Sequence, residues 1–119
     1  AVGGSNNSDF FAFQFDGSSV GSDSITGFST GSAVDNDILE FGQIADQGGV
    51  QFDGMSGTNN GDTGIVQDNT GTDKLQVELV NSASDVEINS LDNDFDGSIT
   101  LTGVTDLSDL NTANFDFTG

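Results

Sequence analysis

"DNTGTDKLQVELVNSASDV" (residues 68–86) aligns without a gap to "DNDFDGSITLTGVTDLSDL" (residues 92–110). Identities fall at Asp68/Asp92, Asn69/Asn93, Val80/Val104, Ser84/Ser108 and Asp85/Asp109, and apolar matches at Leu75/Ile99, Val77/Leu101 and Val86/Leu110. Each copy reads as an acidic loop, a strand, a turn and a closing apolar residue. Within the strands, apolar residues recur at every second position, the period of a β-strand buried on one face. A repeat near this length fits one supersecondary unit used twice. The stretch therefore predicts an all-β fold.

The rest of the chain supports that class. Phe11, Phe13 and Phe15 alternate with Ala12 and Gln14 and stop at the turn pair Asp16-Gly17. Further short strands are expected near Ser24–Phe28, in "DILEFG" (37–42), over Val50–Phe52, and in "GIVQD", "DKLQVELV", "DVEI", "SITLTGV" and "NFDF". All are rich in β-branched or aromatic residues and bounded by Asp, Asn or Gly. "TDLSDLN" (105–111) allows one helical turn with Thr105 as its cap. No segment keeps a 3.6-residue period over three turns. Residues 1–8, "AVGGSNNS", are small and polar and read as a flexible arm before a single domain spanning 9–119.

Composition narrows the function. Leu, Ile, Val and Phe number 32 of 119 residues, enough for a modest core. The net charge is −19, and Lys74 is the sole Lys or Arg. No basic patch exists to meet phosphates, so neither nucleic acid nor an anionic membrane surface is an expected partner. No apolar run approaches the roughly 20 residues of a membrane-spanning helix. Cys and His are absent, which removes disulfides, thiolate sites and imidazole chemistry. Without His, Tyr or Trp to line a site or activate a hydroxyl, the chain reads as non-catalytic. The sequence opens on Ala1 with no visible signal peptide, as in a processed, trimmed or fragmentary chain.

The acidic residues comprise 17 Asp and only three Glu: Glu40, Glu78 and Glu87. Asp is the turn-forming acid and holds its oxygens near the backbone, which suits coordination of a hard cation in loops. "DNDFDG" (92–97) is the sharpest motif. Asp92, Asp94 and Asp96 occupy alternate positions, Gly97 permits a sharp turn, and the Ser98 carbonyl is placed to ligate Ca²⁺. Gly103 stands where an EF-hand would carry its twelfth-position Glu, so this is a DxDxDG loop of another kind. The repeat partner keeps Asp68 and adds Asp73, and Asp35 with Asp37 forms a third candidate cluster.

"GSDSI" (21–25) matches the second half of the calcium-binding nonapeptide GGxGxDxUx. With it, residues 9–42 and 92–117 resemble the C-terminal region of RTX-type calcium-binding secreted bacterial proteins. In that region an FxF strand, a GxDxIxxF turn, an acidic loop and an aromatic end follow one another. The resemblance implies a calcium-stabilised β-sandwich or short β-roll, export to the outside or the cell surface, and Ca²⁺ ligation by Asp23, Asp35 and Asp37. Complete nonapeptide repeats are missing.

The expected protein is a non-catalytic extracellular structural subunit of a surface filament or biofilm matrix, a homo-oligomer built by β-strand pairing. Residues 1–15 would pair with a neighbour's sheet, or else pack within their own subunit. The alternatives are a C-terminal secretion and stabilising domain of a larger RTX-type exoprotein, or a ligand-binding adhesin module. One Ca²⁺ site at 100-fold over its Kd adds about 2.7 kcal/mol to a native stability of about 5–15 kcal/mol. Thermal melts in Ca²⁺ and in chelator should therefore differ by many degrees; superimposable melts would remove calcium from the fold.

Overall fold

Short alternating segments punctuated by Asp and Gly become strands throughout the described chain. The computed structural model describes residues 10–13, 19–28, 30–32, 35–41, 49–68, 74–91 and 96–117. Eleven strands run in the order β1 (Phe10–Phe13), β2 (Ser19–Thr26), β3 (Thr30–Ser32), β4 (Asp35–Asn36), β5 (Ile38–Phe41), β6 (Val50–Asp53), β7 (Thr63–Asp68), β8 (Lys74–Val80), β9 (Asp85–Ser90), β10 (Asp96–Thr102) and β11 (Phe115–Phe117). Two 3₁₀ turns, Leu107–Asp109 and Thr112–Asn114, precede β11. The fold is all-β. The arm expected over residues 1–8 lies outside the described residues, as do Phe15 and the Asp16-Gly17 turn.

The repeat supplies the centre of a mixed six-stranded sheet, ordered β2-β10-β9-β8-β7-β6. Strands β6 to β10 form an antiparallel meander, and β2 joins β10 in parallel. Alternation decides which face is buried. Leu75, Val77 and Leu79 of β8, Val86 and Ile88 of β9, and Ile99 and Leu101 of β10 are fully buried. The intervening Lys74, Gln76, Glu78, Glu87, Asn89, Ser98 and Thr100 are partly exposed. A one-residue slip would exchange the two sets, so the apolar period fixes the register.

A second sheet, ordered β1-β5-β11, is wholly parallel. Leu39 and Phe41 of β5 pair with Phe115 and Phe117 of β11 and lie in one hydrophobic cluster with the buried face of the large sheet. The Phe41 ring lies 6.4 Å from Phe115 and 6.1 Å from Phe117, and Phe52 of β6 meets Phe115 edge to face at 5.7 Å. Strands β3 and β4 pair as a small antiparallel unit.

Several elements differ from the sequence reading. β2 begins at Ser19, five residues before the expected start, because it is built by pairing to β10 and not by local apolar alternation. The cap of the first 3₁₀ turn is Asp106 and not Thr105: its Oδ1 accepts from Ser108 N at 2.9 Å and from Ser108 Oγ at 2.7 Å. These bonds stabilise the ionised form and hold the Asp106 carboxyl below its ordinary range. The cap is accordingly complete above the usual Asp range and is lost as pH falls through the depressed value.

Deleting the ring at the junction of the two sheets should be costly. Phe41→Ala is expected to destabilise the protein by about 3–5 kcal/mol in chemical denaturation. Leu91→Ala, at an apolar side chain 48% exposed, should change stability by no more than about 0.5 kcal/mol. Similar losses at both positions would contradict the core described here.

Candidate metal centre at the acidic end of the sheet

The antiparallel meander brings the strand ends that flank the repeat's two acidic segments to one end of the large sheet. Loop 69–73 leads into β8 and loop 92–95 leaves β9, and these strands are neighbours. Leu75 pairs with Ser90, and Leu91 N donates to the Lys74 carbonyl at 3.0 Å. The loops are therefore rooted about 5 Å apart, the spacing of adjacent strands. On one side Asp68 closes β7 beside Val50 of β6. On the other, Asp96 opens β10 beside Ser19 of β2. Lys74, the single basic residue, stands at the root between the two loops.

The backbone at this end suits a cation loop. Gly97 has φ 101°, a conformation that side chains disfavour, and the β10–β2 register is interrupted between Asp96 and Ser98. A Gly with positive φ directly after the third carboxylate is what the sharp turn of a DxDxDG loop requires. An all-oxygen donor set from Asp side chains and a carbonyl fits Ca²⁺ and not a softer metal.

The nine residues expected to ligate metal fall into three groups. Asp92, Asp94 and Asp73 lie outside the described residues. Asp96 and Ser98 open β10, and Asp68 is fully buried at the same end of the sheet, where it engages at least one other group. The remaining three stand apart. Asp23 is exposed on β2 and pairs with Ile99, whereas Ser98 occupies the opposite face of the sheet. Asp35 belongs to β4, and Asp37, fully buried, precedes β5 in the parallel sheet. Among the described residues no three acidic side chains converge.

Carboxylates at the opposite end of the sheet have structural partners. Asn81, Ser82 and Ala83, in the β8–β9 turn, all have positive φ (55°, 60° and 62°). A run of non-glycine residues in this region costs roughly 1–3 kcal/mol each and persists only when its surroundings hold it. Asp85 does so, accepting from Asn81 Nδ2 at 2.7 Å and from Gly103 N at 3.1 Å, while Asn60 Oδ1 accepts from Ala83 N at 3.1 Å. Asp62 accepts from Asn59 N at 3.0 Å and fills the space that a Gly57 side chain would need. On the partly exposed face, Glu78 and Glu87 stand directly opposite each other, and Asn89 Nδ2 donates to Glu87 at 3.1 Å. They form a pair of like charges that no third acid joins among the described residues.

Asn111 and Asn114 were not singled out in the sequence. Asn114 is fully buried; its Nδ2 donates to the Asp37 carbonyl at 2.8 Å, and its Oδ1 accepts from Asn111 N at 2.9 Å. Asn111 Nδ2 donates to the Thr30 carbonyl at 2.7 Å. Two Asn three apart before an aromatic strand are a local capping signal, but their distant carbonyl partners leave no trace in sequence.

Comparison of the chain with protein-family models, with curated proteins and with solved structures finds no match in any of the three.

The two loops should differ in affinity despite their shared position. Asp94→Ala removes the central carboxylate of the complete DxDxDG loop and should weaken Ca²⁺ binding at least about tenfold, or 1.4 kcal/mol, in calorimetric titration. Asp73→Ala, in the degenerate copy, should weaken it less. Equal losses would assign affinity to the repeat as a whole.

Proposed function

We propose that the chain is a non-catalytic, calcium-stabilised structural subunit that assembles with copies of itself outside the cell or at its surface. The observation that carries this reading is that the residues flanking the repeat's two acidic segments, Asp68 and Lys74 on one and Leu91 and Asp96 on the other, lie at one end of one sheet, with Gly97 at φ 101°. A chain of net charge −19 with one Lys has no internal means of neutralising such an end. A divalent cation supplies it, and millimolar Ca²⁺ sites are typical of extracellular modules. The shared core of the six-stranded and three-stranded sheets supports a sandwich as the element so stabilised.

The structural role follows from what the chain lacks and what it offers. It has no His or Cys with which to supply or activate a nucleophile. It offers short strands at the edges of two sheets, the usual substrate of β-augmentation. A calcium-stabilised domain at the end of a larger RTX-type exoprotein shares the acidic loops but needs no self-association, and a ligand-binding adhesin module would likewise remain single.

Particle size separates these readings. By light scattering in Ca²⁺ the protein should form oligomers or filaments. These should dissociate in chelator at the same ionic strength, which holds general charge screening constant. A folded monomer in Ca²⁺ at high protein concentration would sink the assembly reading and leave the exoprotein-domain alternative standing.

A further inference from the structure

We infer that Asn60–Gly61 is a self-modification site, an amide that converts to aspartate or isoaspartate when the β8–β9 turn opens. It is the one Asn-Gly pair in the 119 residues. The chemistry is hydrolytic and needs no co-reactant but water. The Gly61 amide nitrogen, losing its proton, bonds to Asn60 Cγ; the bond from Cγ to Nδ2 breaks and ammonia leaves. The resulting succinimide ring takes up one water and opens at either carbonyl, to aspartate or to isoaspartate. A following residue with a Cβ crowds that attack, and glycine does not. Asn60 and Gly61 are both exposed, so water and hydroxide reach them.

The fold holds the reaction back. Asp62 N donates to the Asn59 carbonyl at 3.0 Å and closes a turn whose third residue, Gly61, has φ 92°. Within that turn the attacking nitrogen is occupied: Gly61 N donates to the Leu79 carbonyl at 2.8 Å. The target is held as well, since Asn60 Oδ1 accepts from Ala83 N at 3.1 Å. Leu79 N returns a bond to the Asp62 carbonyl at 2.9 Å. Nucleophile and electrophile are thus each bound to the same hairpin end, and both must let go of it before they meet. That end is the strained one, with Asn81, Ser82 and Ala83 at positive φ. Opening a strained turn costs less than unfolding the sheet. The two products differ. Aspartate keeps an oxygen that accepts from Ala83 N. Isoaspartate lengthens the main chain by a methylene between residues 60 and 61, which displaces Gly61 N from Leu79 and frees the turn.

Peptide mass spectrometry tests the inference by following amide loss at residue 60. Wild-type protein is held in Ca²⁺ at mildly alkaline pH, beside the same chain in guanidinium chloride. The folded protein should lose the amide at least about tenfold more slowly than the denatured chain. Asp85→Ala removes the acceptor for Asn81 Nδ2 and Gly103 N and should speed the loss in the folded protein. Ser82→Gly relieves one left-handed residue and should slow it, which gives the reverse test where Asp85→Ala does not fold. Asn60→Gln, whose longer side chain can close only a six-membered ring, should stop it. Aged protein carrying isoaspartate should melt below Asn60→Asp, which carries the other product; equal melts would overturn release of the turn. Equal rates in the folded and denatured chains would overturn the inference. So would rates indifferent to both turn variants, or denatured chains that lose the amide at other asparagines before Asn60.

Discussion

Twenty carboxylates against one lysine set the terms on which this chain folds. Any compact state gathers like charges, and the cost depends on where they gather. The period-two pattern of β7 to β10 resolves most of it by keeping acids off the buried face. Val66, Leu75, Val77, Leu79, Val86, Ile88, Ile99 and Leu101 are fully buried, and Glu78 and Glu87 are turned to the solvated face. Among the described side chains of this sheet Asp68 is the exception, a buried acid placed at the last position of its strand. What alternation cannot remove is pushed to the ends of the sheet, where the turns are.

The two ends then solve the problem differently. At the β8–β9 turn, Asp85 and Asn60 accept hydrogen bonds from amides and hold a strained run of three left-handed residues, and Asp62 accepts from Asn59 N in the 54–62 loop. At the other end, the two acidic segments of the repeat adjoin the paired strands β8 and β9, the first of which opens on the single Lys. The first arrangement is complete within the chain. The second gathers charge that internal donors of this sequence are too few to neutralise.

Much of the large sheet was legible because its signal is local. "LQVELV" and "ITLTG" alternate, and β5 to β11 fall where alternation and β-branched residues place them. The first half of β2, "SVGSD", carries no apolar period; its strand exists because β10 offers a parallel partner across more than 70 residues of sequence. The parallel order β1-β5-β11 was invisible for the same reason, since pairings between distant strands leave no periodicity. Thr105 was read as a cap by residue type alone, whereas Asp106 wins because its shorter reach to Ser108 N and Oγ gives two bonds. Of the site, the repeat showed that two acidic loops exist. That they adjoin neighbouring strand ends follows only once β8 and β9 are known to form an antiparallel pair. Asp23, Asp35 and Asp37, the ligands the resemblance implies, stand elsewhere in the strand order: Asp23 on the edge strand β2, Asp35 in β4 and Asp37 just before β5.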